Sequence, residues 1–314
     1  MLAVASVVPV GSAPAAPPAV PARPAPVPPP ADRSTRTGAW LIASADDGAL
    51  LRYADDGRYL GPLTAAGSSI DDPRSMALGP DGMLYVADWA ADAIVRVDPS
   101  TGQVAGSPIR LDAVRHPAQV LFPGDGALWV ASQVAGRVVR VDPASGRLLG
   151  DAVDPAHVVQ PAGVLLDGRG HLLVSDARAH RVRRFAAEDG AWIDDLVAGN
   201  LLSAPGAMLL VPGGESFIVA NWYGGRVLEF RVGDGAFVRV VVDDPKMAHA
   251  GGMAWDDGGR LLVAGWASGD VRRYDPATGD FVDALGRVGP LGSPSAVLWL
   301  PGSPVTGNAE PPSR

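Results

Sequence analysis

Cysteine is absent from all 314 residues. That excludes disulfides, thiolate metal sites and cysteine nucleophiles. No apolar run reaches the roughly 18 residues a membrane helix needs, so no membrane span is expected. Basic residues are outnumbered, 26 Lys and Arg against 34 Asp and Glu, for a net charge of -8. Phosphate neutralisation supplies most nonspecific affinity for nucleic acid, and here it has no global support. Glycine-rich phosphate loops, nucleophile elbows and HExxH motifs are also missing. Among Ser and His, no spacing suggests a triad.

What is present is a repeat. Pro73, Pro117, Pro161, Pro205, Ala250 and Pro294 each open an apolar run, at spacings of 44, 44, 44, 45 and 44 residues. The same spacings relate Ser44, Asp88, Ser132, Asp176, Asn221 and Gly265, which close the following run. A glycine column agrees, at Gly57, Gly102, Gly146, Gly190, Gly235 and Gly279. A period of about 44 residues with four short strands per unit and turn glycines is the signature of a β-propeller blade. Residues 73–102 show the plan: SMAL, a GPDG turn, MLYVAD, a DWAAD loop, AIVRV and a DPSTG turn. In the second run (LYVA, LWVA, LLVS, FIVA, LLVA and WLIA) both faces are apolar, so both must be covered. Blades packed face to face do that.

The chain enters on a second strand at Trp40 and ends on a lone first strand from Pro294. The fold expected is therefore all-β, one six-bladed propeller over residues 37–304. Its ring closes where residues 294–301 join the N-terminal blade, residues 40–63, which removes exposed sheet edges. Residues 2–10 are apolar and precede small residues, like a secretory leader without its basic opening. Residues 14–30 are almost wholly proline and alanine, which favours extended polyproline II. Residues 1–36 are thus expected to be leader and disordered spacer, residues 305–314 a disordered tail, and the location extracytoplasmic, periplasmic or secreted.

The units PDGMLYVADWAADAIVRVDPSTG and GDGALWVASQVAGRVVRVDPASG resemble NHL repeats. They are also similar to the six-bladed propellers grouped with streptogramin lyase and gluconolactonase-type hydrolases. That resemblance implies the fold over about residues 38–304. It leaves function open, because enzymes, sensors and binding modules share such units. Relatives that bind a divalent metal place His, Asn or acidic ligands one or two residues into the strand opening. Here those positions hold Arg74, Ala118, Ala162, Gly206, Gly251 and Ser295. No metal and no cofactor is therefore expected.

Propeller geometry puts the loop after the second strand and the link into the next blade on one face, the top. Tryptophan follows the second strand in three of six blades, at Trp89, Trp222 and Trp266. Around a central pit these would form a stacking platform; alternatively each indole caps the gap between blades. Asp72, His116, Gln160, Ala204, His249 and Ser293 precede the first strands and are expected near the axis. The candidate ligand-binding residues are Asp72, Arg74, Trp89, Asn221, Trp222, Tyr223 and Trp266. His249 and His116 are the candidate acid and base if the chain is catalytic. Asp88 and Asp176 read as caps for backbone N–H groups. The arginines at 52, 96, 140, 184 and 273, with Glu229 in the same column, read as interblade packing.

Three functions stay open. One is a non-catalytic, exported binding or scaffold propeller, a monomer that takes a small molecule, glycan or peptide in the pit. The second is a lyase or hydrolase of lactones or cyclic esters. The third is a regulatory interaction module like other NHL proteins, whose partners use the same face.

Overall fold

The computed structural model describes residues 37–65, 68–247, 249–286 and 291–301. The expected leader and spacer (1–36) and tail (305–314) lie outside them. Among the described residues no helix is long and apolar enough to cross a membrane.

Six antiparallel sheets form the six blades of a β-propeller. The innermost strands are Pro73–Leu78, Pro117–Leu121, Pro161–Leu166, Pro205–Leu210, Ala250–Trp255 and Pro294–Pro301, and each touches the next around the ring. The circle is closed by the two ends of the described chain. Gly38–Ser44 pairs antiparallel with Pro294–Pro301, Trp40 opposite Trp299 and Ile42 opposite Val297. Five sheets have four strands. The second blade has three, and its outer edge is reduced to two isolated bridges, Ile94 with Ile109 and Val97 with Val104. Between those bridges the left-handed Gly106 and Pro108, which has no N–H, interrupt the ladder.

The core is six wedges rather than one centre. Each apolar cluster draws on two neighbouring blades, as where Leu41 and Leu50 of one meet Val86 and Val95 of the next. Second strands supply the centre of each wedge, and Leu84–Asp88, Leu128–Ser132 and Leu261–Gly265 are buried at every residue. Each such aliphatic side chain contributes about 1.5–3 kcal/mol relative to exposure. The small residue near each strand end, Ala43, Ala87, Ala131, Ser175, Ala220 and Ala264, has no exposed surface, as close approach toward the axis requires.

Two columns of left-handed residues carry the repeat. One is the turn glycine, with φ between 67° and 90° at all six positions. At Gly102 and Gly235 a Cβ would lie 1.7 and 1.8 Å from the carbonyl oxygens of Leu63 and Leu196 in the preceding blade. The glycine is thus needed for its turn and for blade contact alike. The second column lies on the top loops, at Gly48, Asp92, Gly136, His180, Gly225 and Gly269, with φ from 51° to 68°. Where glycine is missing, the side chain is employed. Asp92 accepts the N–H of His116 at 2.7 Å, and His180 Nδ1 accepts that of Ala204 at 2.9 Å.

Candidate functional site

Around the axis of the top face, the residue after each second strand donates its backbone N–H to the carbonyl of the residue before that blade's inner strand. Trp89 donates to Asp72 at 2.8 Å, Gln133 to His116 at 3.1 Å, Trp222 to Ala204 at 3.1 Å and Trp266 to His249 at 3.1 Å. Ala177 and Ala45 make the same bond to Gln160 and Ser293. The second-strand column holds the links beneath. Asp88 accepts from the backbone of Asp71, Asp72 and Ala91, and Asp176 from Val159, Gln160 and Ala179. Buried Asn221 accepts from Ser203 and donates to the Leu201 carbonyl. These are structural latches. Each satisfies a buried polar side chain and ties the link to its own blade.

Each inner strand begins with a bulge. Pro73 pairs with Asp88 but Ser75 with Ala87, so Arg74 is the extra residue; Ala118, Ala162 and Ser295 stand likewise. The fifth and sixth blades break register over Gly206–Ala207 and Gly251–Gly252. A bulge re-aims the side chain at its extra residue. All six positions, Arg74, Ala118, Ala162, Gly206, Gly251 and Ser295, line one axial cavity of about 270 Å³. Trp89, Gln133, Trp222 and Trp266 complete its mouth, and Gln119 with Met76, Met208 and Met253 lies among its deeper walls.

Flat groups form a continuous chain around that mouth. His249 lies parallel to Trp222, centroids 4.9 Å apart, and Trp222 is 5.7 Å from Trp266. The Arg74 guanidinium sits 4.1 Å from the Trp266 centroid and 4.8 Å from that of Trp89. Trp89 in turn stacks on His116 at 3.8 Å. Asp72 holds Arg74 in place with paired bonds of 2.5 and 2.7 Å, and Gln133 Oε1 accepts the Trp89 indole N–H at 3.1 Å. Cation–π contact with a partly desolvated guanidinium contributes about 1–2 kcal/mol per ring.

Of the candidates read from the sequence, the structure places Arg74, Trp89, Trp222 and Trp266 around the cavity. Asp72, His116 and His249 do not line it. They stand behind it, Asp72 on Arg74 and the imidazoles on the indoles. Asn221 is a latch, and Tyr223 is exposed at the rim, edge-on to His249. The indoles both cover the seam to the next blade and line the pit. Sequence reasoning missed Gln133 and Gln119 as site residues, although Gln133 occupies the same column as the three tryptophans.

His116 and His249 open the third and sixth blades, on opposite sides of the ring, each against its own tryptophan. Among the described residues no group of three His, Asp or Glu could hold a metal ion. At the positions where the resembling propellers carry ligands stand a guanidinium, two methyls, two glycines and a hydroxyl that donates to the Ala43 and Pro73 carbonyls. This set does not fit a divalent cation.

No family model matches the chain, and no curated protein matches it. Solved structures match its fold. A crystal structure of a nidogen/laminin complex is similar at 15% identity and TM-score 0.67, covering 84% of this chain and 99% of the matched one. A putative 6-phosphogluconolactonase from Bacteroides uniformis is similar at 14% identity and TM-score 0.59, over 85% and 100%. A protein of unknown function from Bacteroides caccae is similar at 14% identity and TM-score 0.65, over 84% and 99%. At these identities the likeness shows the fold alone.

Proposed function

We propose that the protein is a non-catalytic binding propeller, and that the axial pit of its top face receives a small molecule or the end of a glycan or peptide. The observation that carries this reading is the chain of stacked groups from His249 through Trp222, Trp266, Arg74 and Trp89 to His116 at the mouth of a cavity. Indoles offer large rigid surfaces for rings and apolar groups at small entropic cost. The opposite wall, Ala118, Ala162, Gly206 and Gly251, leaves the space open. A leader-like start at residues 2–10 supports a location outside the cytoplasm.

Both candidate proton-transfer groups are stacked on tryptophans outside the cavity lining, which favours binding over turnover. Titration of glycans and peptides against tryptophan emission tests the reading. Three of the eight tryptophans line the pit, so a ligand should perturb the signal. Gly206→Leu is the blocking variant, because a Cβ there meets nothing nearer than the Ala220 carbonyl at 3.8 Å. It should fold and lose binding. Turnover of any member of a lactone panel, abolished by His249→Ala, would replace the binding reading with the hydrolytic one.

A further inference from the structure

The polar groups that line the pit are unequally used. A guanidinium has five N–H donors. Asp72 takes two of those on Arg74, one on Nε and one on Nη2, and the other three have no acceptor among the described residues. Gln133 spends its Oε1 on the Trp89 indole N–H. Gln119 spends its Oε1 on the backbone N–H of Val164. Since an N–H can be met only by the amide oxygen, both orientations are fixed by their partners. Each leaves an NH₂ group with no acceptor among the described residues. The indole N–H groups of Trp222 and Trp266 likewise have none.

Acceptors are scarce by comparison. No carboxylate lines the cavity, both amide oxygens are engaged, and Ser75 Oγ already accepts from Val120 at 3.3 Å. Asp72 itself does not line the pit, whereas Arg74 does. With the Arg74 charge balanced by Asp72, the mouth is distinguished by its excess of unused donors.

Resting on the reading of the pit as a binding site, we infer that it selects a cyclic carboxylate. The carboxylate accepts from Arg74 and the Gln133 and Gln119 amides, while the ring lies against the indoles of Trp222 and Trp266. Charge-assisted hydrogen bonds are about twice as strong as neutral ones, and planar guanidinium suits carboxylate geometry. Such a ring could be aromatic or a sugar, as in a benzoate or a uronate.

The experiment uses four probes on the full chain, followed by tryptophan emission and calorimetry: benzoate against benzamide, and glucuronate against glucose. At least one carboxylate should bind about tenfold or more tightly than its neutral partner, and which pair responds identifies the ring. Gln133→Glu is the decisive variant. It keeps an oxygen for the Trp89 indole, so its Tm should match wild type, yet it replaces the donor at the mouth with a negative charge. Carboxylate binding should be lost and benzylamine should bind instead. If the neutral partners bind equally well, and Gly206→Leu removes both, the pit stands as the site but the carboxylate inference is overturned. Unchanged carboxylate affinity in a folded Gln133→Glu, or no response to any of the four probes, also overturns it.

Discussion

Arg273 donates to the carboxylate of Asp55 at 2.9 Å across the seam between the last blade and the first, 218 residues apart in sequence, and both are buried. The same guanidinium reaches Asp283 at 3.1 Å and Asp256 at 3.2 Å, and Asp55 also accepts the Trp40 indole N–H at 2.6 Å. One arginine thus contacts three acids where the ring closes.

Arg273→Met should be among the most destabilising single substitutions. It removes the buried cation that Asp55 and Asp256 share, and breaking a buried ion pair costs about 3–5 kcal/mol. Thermal unfolding should show Tm lowered by about 10 °C. A Tm within 2 °C or so of wild type would show that the closing seam does not depend on the cation.

Burial, followed by the Asp55 charge, pushes the Asp256 carboxyl above the usual carboxylate range. A folded-state pKa above the unfolded one means that the native protein holds this proton more tightly. The stabilisation is fully present below the unfolded value of about 3.9 and is lost as pH rises through the folded value. Asp256→Asn removes that dependence. Relative to wild type, the variant should gain stability between pH 4 and pH 7, read by urea denaturation at each pH. A difference constant across that range would refute the assignment.

Asp92 is left-handed where four of the six blades use glycine, and it caps His116. Asp92→Ala keeps the backbone cost and loses the cap, for about 1–2 kcal/mol of destabilisation. Asp92→Gly loses the cap but relieves the backbone, and should fall within about 1 kcal/mol of wild type. Chemical denaturation of the pair separates the two effects; equal losses would show that the backbone cost is negligible.

Two turn glycines should respond differently to alanine. Gly82 has φ 77° with nothing within 4 Å of where a Cβ would lie, so Gly82→Ala should cost about 1 kcal/mol. Gly235 has φ 67° with the Leu196 carbonyl 1.8 Å from that position. Gly235→Ala must push two blades apart, and about 3 kcal/mol or more is expected. Comparable Tm shifts for both would mean that only the turn matters, not the approach of the blades.

The spacing of three residue columns was enough to give the propeller, its six blades and its closing strand, because each blade repeats the same burial and the same turn. Strands apolar on both faces need cover on both sides, and blades stacked face to face supply it. Glu229, the one acid in the arginine column, meets Arg239 at 2.8 Å. The missing fourth strand of the second blade was less legible, since Gly106 and Pro108 lie in a segment that otherwise keeps the period.

The sequence by itself determined the scaffold and brought tryptophan to the top face, since periodicity records which positions are buried and which must turn. Only the tertiary structure decided which side chains face the axis. The bulge that opens each inner strand turns Arg74 and its five equivalents into the pit, while Asp72, His116 and His249, each two residues earlier, back the mouth instead. A bulge changes direction without changing composition, and so leaves little trace in a single sequence. The alignment of Arg74 between Trp89 and Trp266, and the spent oxygens of Gln119 and Gln133, depend on partners up to 192 residues away.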